Sequence, residues 1–244
     1  MARNIVITGA GKGLGRAIAR RLAADGETLI LLGRTLSKVE AVAAELGNGA
    51  YALECDISSP ESVRAAFAAI KARSGKVDVL INNAAVYQPY SVAEVPDEEI
   101  AVSLATNLGG VMYCCRDVLP LMERGGQIIN ISSESVAVPF AMLTFYQASK
   151  AGMERYTQAL HEEVAADGIR VTLLRAGQMM DEDSSWNVDP DRARRFFEGN
   201  LKRGINQRER PLSHFNSVAE VFHSIVNLPA DVNISHLNLE GWRN

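Results

Sequence analysis

The chain has 244 residues, 47% of them hydrophobic and 22% charged, ordinary values for a sequence that folds around a sizeable core as one large α/β domain or two small ones. A net charge of −4 with no Lys/Arg-rich run argues against a nucleic-acid partner, and apolar runs as short as Val77–Ile81 and Ile128–Ile131 argue against a membrane span. The opening Met-Ala-Arg-Asn-Ile-Val-Ile-Thr-Gly reaches glycine too soon for a signal-peptide core, and Cys55, Cys114 and Cys115 lack Cys-x-x-Cys spacing; a cytoplasmic location with reduced thiols is expected.

Asn4–Thr8 begins the chain as a strand apolar on both faces, followed by the loop Thr8-Gly-Ala-Gly-Lys-Gly-Leu-Gly15. A helical pattern, Leu14–Asp25, runs to Gly26. Next come a strand at Thr28–Gly33, a helix at Ser37–Leu46 ending on Gly47, a strand at Ala50–Cys55 and a helix at Pro60–Ser74 ending on Gly75. Each of these glycines suits a left-handed helix cap. Val77–Asn82 is the fourth strand, Glu98–Arg124 a long helix interrupted near Pro120, Gln127–Ser132 a strand, Tyr146–Asp167 a helix and Arg170–Arg175 a strand. Doubly apolar strands alternating with helices over short connections, without linker or repeat, predict a single doubly wound parallel sheet. The expected architecture is Rossmann-like, with about seven strands, helices on both faces, and one domain spanning 1–244. Residues 177–211 break the rhythm with Met179, Met180, Trp186, Phe196 and Phe197 among charges, and Asp189-Pro190 starts a short helix to about Leu201. This is expected to be a substrate lid at the strand ends, the alternative being a surface excursion with its own apolar patch.

Four glycines between strand and helix let the backbone turn tightly against a pyrophosphate at a helix N-terminus. The second strand ends Leu32-Gly33-Arg34-Thr35 with no acid to take a ribose hydroxyl, and Lys12 adds a second cation, so NADPH is expected over NADH. Tyr146 and Lys150 are four apart on one helical face. An adjacent ammonium is expected to bring the phenol toward a working pKa, and Lys150 can also hold the nicotinamide ribose. Ser133 ends a buried strand thirteen residues before Tyr146 and can donate to a substrate carbonyl.

Together these residues resemble the short-chain dehydrogenase/reductase family over almost the whole chain. The likeness assigns Gly9, Gly11, Lys12, Gly13, Leu14 and Gly15 to the cofactor loop, and Lys12 with Arg34 to the NADP pattern. Asp56-Ile57 matches the pair that contacts adenine. Asn82-Asn83-Ala84-Ala85 resembles the family's Asn-Asn-Ala-Gly, which places Asn83 and Ala84 at the cofactor. Asn107 falls at the family's helix-kinking asparagine and completes a catalytic set with Ser133, Tyr146 and Lys150. The resemblance implies an NADP-dependent enzyme that reduces a ketone or aldehyde to an alcohol, or runs the reverse. Tyr146 would be the general acid/base, the Asn107 main chain would hold a proton-relay water, and the long helices would pair in a homodimer or homotetramer.

The chain departs from the family in two places. Ala176-Gly177 stands for the usual Pro-Gly, with Gly177 still expected at the cofactor and Asp181 in the place of a threonine. The ending 233–244 lacks the Thr-Gly-Gln…Asp-Gly-Gly pattern and looks closer to members acting on 3-hydroxy acids. An epimerase or dehydratase using the cofactor transiently, or a cofactor-binding protein without turnover, are the alternatives. Glu134, Tyr87, Tyr90 and Phe145 read equally as pocket walls or as ordinary loop and core residues. Cys114-Cys115 reads as core or subunit contact, and His161, His214, His223 and His236 show no metal-ligand spacing.

Overall fold

The structure is a computed structural model and describes residues 2–181 and 186–242. In chain order the first half runs β1 (Asn4–Thr8), α1 (Gly13–Ala24), β2 (Thr28–Gly33), α2 (Leu36–Leu46), β3 (Tyr51–Glu54), α3 (Pro60–Ser74) and β4 (Val79–Asn82). Then follow α4 (Asp97–Leu104), a π-helical turn at Ala105–Gly109, α5 (Gly110–Val118), a 3-10 turn at Leu119–Leu121, β5 (Gln127–Ser133) and α6 (Thr144–Val164). The remainder comprises β6 (Arg170–Ala176), β7 (Met179–Met180), α7 (Pro190–Leu201), β8 (Ser213–His214), α8 (Phe215–Val226) and β9 (His236–Leu239).

The main sheet has seven strands in the order β3-β2-β1-β4-β5-β6-β9, and all its pairings are parallel. Parallel strands need helical cover on both faces, and the alternation along β1 shows how it is met. Ile5 and Ile7 pack with Ile18 and Leu22 of α1, Val39 of α2 and Phe222 of α8. Val6 faces the other way, toward Phe67 and Ile70 of α3, Cys114 of α5, and Met153 and Leu160 of α6. Within this second layer Cys114 and Cys115 are fully buried, and burial pushes both thiols up, Cys115 to about 12. They belong to the core.

Several boundaries differ from expectation. The third strand is shorter than Ala50–Cys55 and the fourth shorter than Val77–Asn82: the Cys55 N–H still bonds the Gly33 carbonyl of β2, whereas the Val77 N–H bonds the Leu121 carbonyl of the 3-10 turn. The helix expected over Glu98–Arg124 is interrupted at Pro120 as expected, by a 3-10 turn, and is further divided by the π-turn at Ala105–Gly109. Gly26, Gly47 and Gly75 all take positive φ, but Gly47 (ψ −141°) and Gly75 (ψ −49°) lie outside the left-handed helical well. Helix α8 and strand β9 were not anticipated as elements. In residues 177–211, β7 pairs with β8 just beyond the segment and α7 begins at Pro190, with Asp189 Oδ1 accepting from the Arg192 N–H.

The order of strands reverses between β1 and β4, and there the loops after both strands meet, the usual place for a ligand in an open α/β sheet. Thr8 at the end of β1 is buried, and its hydroxyl accepts from the N–H groups of Asn83 and Ala84, each at 3.0 Å. One step along the sheet, Asn82 Nδ2 donates to Asn130 Oδ1 (2.8 Å), and Asn130 Nδ2 donates to Thr157 Oγ1 of α6 (3.0 Å). These buried amides tie the sheet to the helix that carries Tyr146.

Candidate active site

The loop between β1 and α1 is built for close approach. Gly9 sits at φ +66° and Gly13 at φ +54°, conformations that favour glycine. A Cβ on Gly15 would lie 2.5 Å from the Gly9 carbonyl oxygen, and one on Gly9 would lie 2.9 Å from Ala84 Cα. Lys12 caps α1 without a side-chain hydrogen bond, so the first N–H groups of this helix are left to an outside acceptor. Lys12 and Arg34 are both exposed at the loop and at the end of β2, and Gly11 packs against Lys38, a further cation the sequence reading did not single out. A compact turn with unclaimed N–H groups, flanked by cations, fits a dinucleotide diphosphate.

Other expected cofactor residues are more committed than the sequence suggested. Leu14 and Ile57 are buried, so their backbones rather than their side chains face the loop; Ile57 packs where a Gly110 Cβ would stand, 2.8 Å away. Asn83 Nδ2 donates to the carbonyls of Thr8 (2.9 Å) and Gly9 (3.3 Å) and so holds the glycine loop rather than reaching outward. Asp56 Oδ1 accepts from the Ser58 N–H and hydroxyl. Gly177 is pressed on β9, where a Cβ would meet the Leu239 carbonyl at 2.6 Å. Asp181 contributes its negative charge at Arg20 of α1.

Ser133, Tyr146 and Lys150 converge at the carboxyl end of β5. Tyr146 hydrogen-bonds the Ser133 hydroxyl, and the Ser133 oxygen accepts from the Ser135 N–H at 3.2 Å. The Lys150 ammonium is buried and donates to the Ile131 carbonyl at 2.7 Å. The expected electrostatics are overturned here. Burial pushes the Tyr146 phenol up to about 12, against the Ser133 bond that lowers it, and burial pushes Lys150 down to about 8, against Glu154 that raises it. In the chain alone the ammonium is spent on a carbonyl, and the phenol is held protonated.

Asn107 is fully buried inside the π-turn, where the Gly110 N–H reaches back to the Ala105 carbonyl. Its Oδ1 accepts from the Val86 N–H (2.9 Å), while Nδ2 donates to the Val86 carbonyl (2.8 Å) and to Ser149 Oγ (3.1 Å). The side chain therefore pins the loop after β4 to the helix of Tyr146. π-turns recur at functional sites, where they re-aim the backbone.

A cavity lined by Val86, Tyr87, Tyr90, Val95, Met142 and Phe145 opens on Tyr146. Tyr87 and Tyr146 have ring centroids 5.5 Å apart, and Trp186 stacks on Tyr87 at 5.8 Å with a 22° interplanar angle. Trp186 in turn meets Phe196 (5.3 Å) and Phe197 (6.1 Å) of α7 edge-on. The segment 177–211 thus contributes aromatic rings over Tyr146. Glu134 is ion-paired with Arg210, which also lies 5.4 Å from the Phe140 ring centroid.

Sequence reasoning missed the network beneath Lys150. Glu154 is buried, accepts from Ser132 Oγ at 2.6 Å and is bound in bidentate fashion by Arg175 (2.9 and 2.6 Å). Its signal was present: positions 146, 150 and 154 share one face of α6, and a carboxylate there is out of place on a buried stripe. Among the described residues no group of His, Cys, Asp and Glu is placed to hold a metal, and no helix is long and apolar enough to cross a membrane.

Comparison with known proteins agrees with this geometry. The family profile described as short chain dehydrogenase matches residues 3–192. Serine 3-dehydrogenase of Rhizobium radiobacter is 29% identical over 241 residues, covering 98% of this chain and 94% of its own. Human 3-oxoacyl-[acyl-carrier-protein] reductase is 30% identical over 230 residues, covering 93% and 91%. The closed form of serine dehydrogenase complexed with NADP+ superimposes with a TM-score of 0.82 at 26% identity, covering 97% of this chain and 94% of that one. The chain is an oxidoreductase of the short-chain dehydrogenase family.

Proposed function

We propose that the protein reduces a ketone or aldehyde to an alcohol with NADPH, or catalyses the reverse reaction. The observation that supports this most is the convergence of Ser133, Tyr146 and Lys150 on one sheet edge below an aromatic cavity, with Asn107 locking the adjoining loop. When bound, the nicotinamide supplies the hydride. The Ser133 hydroxyl donates a hydrogen bond to the substrate oxygen, and the Tyr146 phenol transfers its proton there. Burial keeps the phenol protonated in the chain alone, which is the form that the reductive direction consumes. Lys150, fixed on the Ile131 carbonyl, holds the nicotinamide ribose and supplies positive charge as the phenol gives up its proton. The main chain at Asn107 holds the water that returns a proton to Tyr146.

Gly9, Gly11, Gly13 and Gly15 cradle the diphosphate, and Lys12 with Arg34 receive the 2′-phosphate. The serine dehydrogenase neighbour is complexed with NADP+, which supports NADP as the cofactor. Segment 177–211 serves as the lid of a single domain, with Trp186 its principal contact over the site. The test is NADPH oxidation against a panel of ketones, aldehydes and oxo acids. Tyr146→Phe keeps the ring and loses the proton, so turnover falls by about 10²-fold or more while NADPH binding persists. Full turnover in that variant would remove Tyr146 from the chemistry. Stoichiometric cofactor consumption separates this reading from an epimerase or dehydratase.

A further inference from the structure

Helix α7 carries three arginines near its start, and their surroundings differ. Arg194 is paired with Asp191 (2.5 Å) and Glu198 (2.9 Å), and Arg195 with Glu94 (2.6 Å). Arg192 has no such partner among the described residues. Its guanidinium lies 4.3 Å from the centroid of the Tyr90 ring, and its Nη1 is buried without a hydrogen-bond acceptor. A cation over an aromatic face is attracted to the ring but keeps its charge and its donors.

Tyr90 is a wall of the cavity that opens on Tyr146. Two further polar atoms where this cavity meets the segment above it are buried and unpartnered: the indole N–H of Trp186, which stacks on Tyr87, and Oε1 of Gln88, whose Nε2 donates to the Asn187 carbonyl. Buried donors without acceptors are costly and uncommon, so an arginine packed on Tyr90 and an indole packed on Tyr87, both unpaired against rings of the cavity wall, point to an acceptor that arrives with the ligand. The cavity's own acidic wall residue is Glu99, and it makes no ion pair with Arg192. The remaining walls are mainly apolar and aromatic.

We propose that Arg192 is the anion anchor of the substrate pocket, so that the preferred substrate is a carbonyl compound with an apolar or aromatic body and a carboxylate at its far end. This rests on the reading of Tyr146 and the cavity as the place of reaction. The cavity encloses only about 20 Å³, so the Tyr87, Tyr90 and Phe145 rings move apart to admit the body, the carboxylate takes the unpaired Arg192 donor, and the carbonyl reaches Ser133 and Tyr146. Charge-assisted contact by a planar guanidinium is worth about 10- to 100-fold in binding.

The experiment compares 4-oxo-4-phenylbutanoate with its methyl ester under NADPH, in wild type, Arg192→Gln and Arg192→Lys. Wild type is expected to favour the acid by about 10- to 100-fold in kcat/KM, carried by KM. Arg192→Gln should erase that preference by raising KM for the acid alone, and Arg192→Lys should retain part of it because the charge survives. Equal use of acid and ester by wild type, or an equal loss on both in Arg192→Gln, overturns the proposal while leaving the reductase reading intact.

A second measurement does not depend on turnover. Trp186 and Trp242 are the chain's two tryptophans, and Trp242 is 86% exposed, so Trp242→Phe leaves Trp186 as the fluorescent probe. In that background 4-phenylbutyrate should quench Trp186 at concentrations about 10-fold or more below 4-phenylbutyramide, and Arg192→Gln should bring the two together. Indistinguishable titrations with Arg192 present overturn the proposal. If no carbonyl compound is reduced but the acid still binds through Arg192, the reductase reading fails and the anchor stands.

Discussion

Lys150 is subject to opposed influences. Burial drives its ammonium from 10.5 toward about 8, and Glu154, one helical turn on, restrains the fall. If the protonated lysine is the working form, carbonyl reduction should decline as pH rises through about 8. Glu154→Gln removes the restraining charge, and the alkaline limb of the kcat/KM profile should move to lower pH; a limb that stays in place would show that Glu154 acts only on Arg175 and Ser132. The same group has a stability consequence of definite sign. Its folded pKa lies below its ordinary value of 10.5, so between about 8 and 10.5 the unfolded chain binds more protons. Its contribution to stability therefore grows with rising pH across that window, and is least favourable below it. At the other end of the cofactor site, NADPH should be preferred to NADH by about 10- to 10³-fold if Lys12 and Arg34 receive the 2′-phosphate. Reversing the preference takes more than placing a carboxylate on Gly33, because a Cβ there would meet Val39 Cγ1 at 2.8 Å. Gly33→Asp, Arg34→Leu and Val39→Ala together should favour NADH, and the measurement is the ratio of kcat/KM for the two cofactors. An unchanged ratio would place ribose recognition elsewhere.

The π-turn at Ala105–Gly109 is the element on which most of the site's geometry depends. Asn107→Ala would leave both the N–H and the carbonyl of Val86 without their side-chain partner, a loss of about 2–4 kcal/mol given the cost of stranded polar groups. A lowered Tm with activity falling further than stability explains is the expected outcome; an unchanged Tm would mean that water replaces the amide at no cost. Little of this turn was legible in advance, since Ala-Thr-Asn-Leu-Gly has no distinctive period and the expectation of a kink came from resemblance. By contrast β1 and β2 announced themselves through continuous apolar runs, and α1 and α3 through helical patterns closed by Gly26 and Gly75. Strand β9 carried no comparable signal: His-Leu-Asn-Leu lies at the sheet's edge, half-exposed, where a short alternating run looks like any loop. The ion pair between Glu134 and Arg210 joins residues 76 apart, and the upward pressure of burial on Tyr146 follows from rings supplied by distant segments. Sequence spacing identifies the groups in such a site but not the dielectric around them.

For the whole molecule, the outer faces of the helices behind the site bear on assembly. Val102 and Leu104 of α4 are 42% and 43% exposed, while Met112 of α5 and Tyr156 of α6 are only half-buried. A second copy of the chain would cover these residues, and light scattering should find a dimer or tetramer that Val102→Glu with Leu104→Glu converts toward monomer. A monomeric wild type at micromolar concentration would end that expectation. The order of the strands carries a different consequence, one that concerns the chain while it is being made. Synthesis first lays down β1 and then works outward to the β3 edge before β4 returns to the far side of β1. A nascent chain that has emerged only through residue 82 therefore presents Val79–Asn82, buried at every position in the finished fold, as an open edge whose partner β5 is still to come. Unpaired apolar edges recruit other chains. Ribosome stalling or truncation between β4 and β5 should yield a product that aggregates or is retained by chaperones, whereas release of a chain extending through β6 leaves only the half-exposed β9 position unfilled.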